Sequence, residues 1–174
     1  MATQDLRGSL IIELLPHLDA GGRWTSDNDM RPLSTLGERQ ARAVAEALAV
    51  APVDGLFSSP ALRCYMSLSP LADMLGIEIE ELPELAESDE SEGFASMAER
   101  GIGAIYAIRS MFDEGRVVAC SHGDIIPAII EVLAEASGLE APAMERRGQW
   151  YTIRFDDEVT SIERTEIDPV GAGS

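Results

Sequence analysis

Residues 116–121, RVVACS, are apolar at almost every position after the arginine. A short run of this kind suits a central parallel strand buried on both faces, the kind that exists when helices cover both sides of a sheet. After it, Ile125, Ile126, Ile129, Val132, Leu133 and Ala136 recur at helical spacing up to a stop at Gly138. That strand–helix pair restricts the chain to architectures in which β and α elements alternate.

The rest of the sequence supplies the alternation. LIIELL (10–15) reads as a strand, followed by a Gly/Asp/Asn-rich loop and a helix over about 36–50 with Ala41, Val44, Ala45 and Leu48 on one face. GLFSS (55–59) leads through Pro60 into a helix holding Leu62 and Met66 and ended by Gly76. IEIEEL (77–82) alternates apolar and acidic residues as an edge strand would. A helix falls within 93–113, although Gly101 and Gly103 weaken it, and WYTIRF (150–155) with VTSIERT (159–165) reads as a closing hairpin. The pattern predicts an α/β fold, a three-layer α/β/α sandwich around a mostly parallel central sheet. The expectation is a single domain over 1–168, with PVGAGS (169–174) as a disordered tail.

With 174 residues, 45% of them hydrophobic, the chain can bury a substantial core. Thirty-one acidic against 13 basic residues leave a net charge of −18, which disfavours non-specific binding to nucleic acid or acidic membranes. All the basic residues are Arg. Cys64 and Cys120 are too few for a disulfide framework and are expected to be reduced, half-buried thiols. No stretch approaches the roughly 20 apolar residues of a membrane span, and no targeting segment is evident at the N-terminus, so a cytoplasmic location is expected.

In open α/β sheets the ligand crevice lies beyond the carboxyl ends of the strands. Those ends carry Pro16, His17 and Leu18 after the first strand, Ser58, Ser59 and Arg63 after the second, Glu87 after the third, and His122, Gly123 and Asp124 after RVVACS. Both histidines of the chain fall in this set. A neutral imidazole can attack phosphorus, while a guanidinium fork and a second imidazole can hold the oxygens of a phosphoryl group. A helix starting at Gly123 would add backbone N–H groups to that pocket. Trp24, Trp150 and Cys120 are read as structural, and seven of the eight carboxylates between Glu78 and Glu92 as a solvated face.

On RPLSTLGERQARAVAEAL (31–48), FSSPALRCYMSLSPLADMLG (57–76), LAES (85–88), VVACSHGDIIPAI (117–129) and RRGQWYTI (146–153), the sequence resembles the histidine phosphatase, or phosphoglycerate mutase-like, superfamily. It looks most like the short phosphohistidine-phosphatase-like branch, including domains attached to Nudix hydrolases. The resemblance implies His17 as phospho-accepting nucleophile, Arg63 and His122 as phosphate ligands, Glu87 as proton donor, and Ser59 and Gly123 as supporting positions. It further implies no metal or organic cofactor, and a small phosphorylated substrate or a phosphoprotein as partner.

One departure stands out. Where the family has Arg-His-Gly or Arg-His-Ala, this chain reads Pro16-His17-Leu18, so the first phosphate-binding arginine is missing. Losing one such preorganised donor typically costs roughly 100- to 1,000-fold in rate. Arg23 and Arg31, on the loop after the first strand, are the candidates to compensate. The expected activity is phosphohydrolysis through a phosphohistidine, weakened by Pro16. The alternative is a pseudophosphatase serving as an anion-binding or regulatory module.

Overall fold

The computed structural model describes residues 8–167; the tail expected at 169–174 lies outside the described residues. The chain alternates as β1 (Leu10–Pro16), α1 (Thr35–Leu48), β2 (Gly55–Ser58), α2 (Leu62–Leu75), β3 (Ile79–Glu81), α3 (Phe94–Met111), β4 (Gly115–Ser121), α4 (Ile125–Ser137), β5 (Gln149–Phe155) and β6 (Val159–Glu166). Its six strands form one sheet in the order β3-β2-β4-β1-β5-β6. The ladders among β1 to β4 are parallel, whereas β5 runs antiparallel to both β1 and β6. The RVVACS strand is central, as its composition requires, and IEIEEL is a three-residue edge strand.

The two faces carry separate apolar layers. Under α3 and α4 lie Ile12, Leu14, Val117, Ala119, Ile125 and Ile129; under α1 and α2 lie Leu15, Leu18, Val44, Leu48, Leu68 and Cys120. Each buried aliphatic side chain contributes about 1.5–3 kcal/mol relative to exposure. Gly101 does not break α3, because an added Cβ there would collide with Ile129: the glycine is what lets α3 close on α4.

Burial corrects some of the expectations. Cys64 and Cys120 are free but fully buried, not half-buried. The helix over Leu62–Leu75 forms as expected, with an inward face of Arg63, Cys64, Ser67, Leu68 and Leu71, so polar groups occupy its first two turns. Glu92 is not part of a solvated face, since it pairs with Arg100. Glu13 is buried in β1, where Arg116 Nε (3.0 Å), Trp150 Nε1 (2.9 Å) and Thr152 Oγ1 satisfy its carboxylate. Among the described residues, no helix is long and apolar enough to cross a membrane.

Candidate functional site

The carboxyl ends of β1, β2 and β4 are tied to one another. The His17 N–H donates to the Ser121 carbonyl (2.9 Å) and the Ser59 N–H to that of Cys120 (3.0 Å). The turn after β1 is then fixed from both sides. Leu18 N–H donates to Ser67 Oγ on α2, and the Asp19 carbonyl accepts from Ser34 N–H at the start of α1, which comes so close that only glycine fits at position 37.

His17 and His122 meet edge to face, ring centroids 5.4 Å apart, and both are buried. The Nδ1 of His17 lies 2.8 Å from the Leu18 carbonyl. A carbonyl only accepts, so Nδ1 carries the proton and Nε2 keeps its lone pair. Burial lowers the His17 pKa to about 3 against the bond to Leu18, which raises it, and Arg147, His122 and Arg63 add repulsion. The ring is therefore neutral across the physiological range, with a free lone pair on Nε2.

Arg63 has no solvent exposure. Its Nη1 donates to the Asn28 carbonyl (2.7 Å), and its Nη2 faces both Glu87 Oε2 (2.7 Å) and His122 Nδ1 (3.3 Å); its Nε is buried without a partner. His122 Nε2 contacts Ser59 Oγ at 2.8 Å and Cys64 Sγ at 3.6 Å. These contacts bring His17, Ser59, Arg63, Glu87 and His122 into one cluster at the carboxyl ends of the strands. Gly123 lies beside it, lining with Pro16 and Arg147 a cavity of about 290 Å³.

The helix after β4 begins at Ile125, not Gly123. Asp124 caps it by accepting from Ile125 N–H (2.7 Å), so the first turn of the helix already faces a carboxylate. The other Asp124 oxygen accepts from Ser88 N–H and Oγ. Together with the bond from Ser121 Oγ to the Leu85 carbonyl, this fixes the loop that presents Glu87. Burial alone would raise the Asp124 carboxyl, yet the bonds from Ser88 and Ile125 hold it below the usual range.

The two arginines proposed as compensating behave differently. Arg23 is exposed, and among the described residues its side chain has no hydrogen bond or ion pair. Arg31 is half-buried, with a buried Nε lacking a partner, and its charge acts on Arg147. Two contributors were not singled out from sequence. Asn28 holds Arg63 through its carbonyl and Glu87 through Nδ2 (2.7 Å). Arg147 donates from Nη1 to the carbonyl of His17 at 2.6 Å. A sequence signal for Arg147 existed: a strand antiparallel to β1 must begin where β1 ends, and Arg146-Arg147 immediately precedes β5.

Comparison with known proteins agrees with this geometry. Residues 17–91 match the model of the histidine phosphatase superfamily (branch 1). An 8-oxo-(d)GTP phosphatase of Mycolicibacterium smegmatis is 26% identical over 136 residues, 78% of this chain and 40% of that protein. The chain thus spans about two fifths of that curated relative. Among solved structures, the protein histidine phosphatase SixA complexed with tungstate has a TM-score of 0.67 at 22% identity, covering 90% of this chain and 96% of that one. A phosphoglycerate mutase from Bacillus anthracis has a TM-score of 0.73 at 13% identity, covering 94% and 93%. At these identities the structural likeness establishes the mutase-like fold.

Proposed function

We propose that the chain is a histidine phosphatase, on the match of residues 17–91 to that superfamily's model and a mutase-like fold over nearly its whole length, and that it hydrolyses a phosphomonoester or phosphohistidine through a phospho-His17 intermediate. The observation that carries this reading is the neutral, buried His17 set 5.4 Å from His122, with the buried Arg63 guanidinium beside them.

In this mechanism Nε2 of His17 attacks phosphorus in line as the bond to the leaving oxygen breaks. The phosphoryl oxygens are held by Arg63, which exchanges Glu87 for the substrate, and by His122, whose Nδ1 accepts from Arg63 Nη2 before substrate binds and takes up a proton to donate once Arg63 turns to the substrate. Glu87, released from Arg63 to the rim, takes up a proton from solvent and gives it to the leaving oxygen. Water then attacks phospho-His17, the P–N bond breaks, Glu87 takes back a proton, and inorganic phosphate departs. His17, Ser59, Arg63, Glu87, His122 and Gly123 are the residues to which this reading assigns the work.

The test is turnover of p-nitrophenyl phosphate together with trapping of a labelled phosphohistidine by quenching in alkaline detergent, in which its P–N bond survives. The expected result is turnover that survives EDTA, with label lost in His17→Ala. A protein that binds orthovanadate at the site but forms no phosphohistidine and shows no turnover would be the pseudophosphatase that the loss of the signature arginine favours.

A further inference from the structure

We infer that Arg147 supplies, from the chain segment entering β5, the phosphate-binding guanidinium that position 16 lacks. The inference rests on the phosphohistidine reading of the pocket. Pro16 and Arg147 line the same cavity of about 290 Å³, so the side-chain space that an arginine at 16 would enter is the space that the Arg147 side chain borders. The two come from neighbouring strands: β1 runs antiparallel to β5 with Leu14 opposite Tyr151, which sets the start of β5 beside the end of β1.

Arg147 is anchored but not used up. Its Nη1 donates to the carbonyl of the nucleophile itself, His17, at 2.6 Å. Its Nε and Nη2 have no protein partner among the described residues, and neither Arg147 nor Arg31 is in an ion pair there. The Asp19 carboxylate attracts Arg147 from a distance without pairing with it, and Arg31 repels it more weakly. In a chain of net charge −18, with 31 carboxylates available to neutralise them, the positive side chains around His17 are left with spare donors. Forked guanidinium donors left without a bonded partner, as on Arg147, are what a tetrahedral oxyanion requires. Of the charges acting on the His17 ring, that of Arg147 is the strongest, ahead of His122 and Arg63. Arg147 thus reaches the nucleophile through its backbone carbonyl, while Arg63 reaches the pocket through His122 and Glu87.

The test uses orthovanadate affinity by calorimetry, which needs no turnover, and kcat/KM on p-nitrophenyl phosphate. Arg147→Gln should weaken vanadate binding by about 10- to 100-fold, the range for a hydrogen bond to a charged group, and lower kcat/KM by about 100-fold. Pro16→Arg in the Arg147→Gln background should restore most of both losses. Arg42→Gln, which removes one exposed charge on α1, should leave both within about twofold. A purely structural role for the bond to His17 predicts no rescue by an arginine at 16. Failure of that rescue in a double variant that melts like the parent would therefore overturn the inference. So would Arg147→Gln binding and turning over within twofold of the parent while His17→Ala abolishes turnover, a result that leaves the reading of the pocket standing. If the parent neither binds vanadate nor differs from His17→Ala in turnover, the phosphohistidine reading falls, and this inference with it.

Discussion

The wholly buried guanidinium of Arg63 is neutralised by Glu87, a carboxylate that is itself 38% exposed, across 2.7 Å. The inner cation cannot leave, but its outer partner can. Glu87 thus holds the position on Arg63 that a phosphoryl oxygen would take, and substrate must displace it. Glu87→Gln removes that internal competitor together with the proton donor. Vanadate should bind about 3- to 10-fold more tightly, while turnover falls by about 10²- to 10⁴-fold. Parallel titration and steady-state kinetics separate the two effects, and a variant that loses both affinity and turnover would contradict the displacement.

Restoring the signature arginine calls for a single substitution. Leu18 has no exposure, packs under α1 and α2, and donates its N–H to Ser67. Replacing it with glycine to open room for phosphate would cost at least about 2 kcal/mol. Pro16→Arg alone should raise kcat/KM on p-nitrophenyl phosphate by up to about 10-fold, and by more when Arg147 is absent. No gain in a folded Pro16→Arg variant, in either background, would show that position 16 does not reach the phosphoryl group.

His17 links the site to stability. With its pKa at about 3 when folded and near 6.5 in an unfolded chain, it takes up a proton on unfolding anywhere between those values. The unfolded state then binds more protons, so stability rises with pH across that window and is lost as pH falls from about 6.5 towards 3. His17→Gln should flatten the pH dependence of urea-denaturation stability between about pH 5 and pH 7 by up to one proton. An unchanged slope would mean that the imidazole is already solvated in the folded protein.

Asp124 joins the start of α4 to the loop carrying Glu87. Asp124→Ala removes the cap and the acceptor for Ser88, and should cost about 1–2 kcal/mol in denaturant melts. It should also quicken proteolysis over residues 86–93. Because the carboxyl is held below its ordinary range, its contribution is present above the unfolded carboxylate pKa and fades as pH drops through the folded value. The difference between parent and variant should therefore shrink in acid.

The fold was legible because apolar patterning and punctuation agree. RVVACS is a doubly buried strand, Gly76 and Gly138 end helices with φ of 67° and 65°, and the acidic alternation of IEIEEL marks the sheet edge. The strand-end rule also located His17, Arg63, Glu87 and His122. Other features depend on geometry that spacing does not encode. Arg63 faces inward, where Leu62 would be expected on hydropathy alone, because Asn28, Glu87 and His122 together satisfy its charge. The start of α4 depends on one carboxylate bonding Ile125, and Asp124 is polar enough to read equally as loop. Arg147 lies 130 residues from His17 and becomes visible only once the last hairpin is placed antiparallel to β1.

That hairpin also has a consequence for the order of assembly. Glu13 in β1 finds Trp150 and Thr152, its partners on β5, 137 and 139 residues downstream, and the His17 carbonyl finds its donor at residue 147. A nascent chain that has emerged only as far as α4 therefore holds a carboxylate in its central strand with two of its three side-chain partners missing. Docking of β5 is the step that makes burial of that strand favourable, and contacts so distant in sequence form late and slowly. The pocket should accordingly appear all at once, near the end of synthesis, and fragments that stop before the hairpin should be held by chaperones or degraded rather than accumulate as partly active domains.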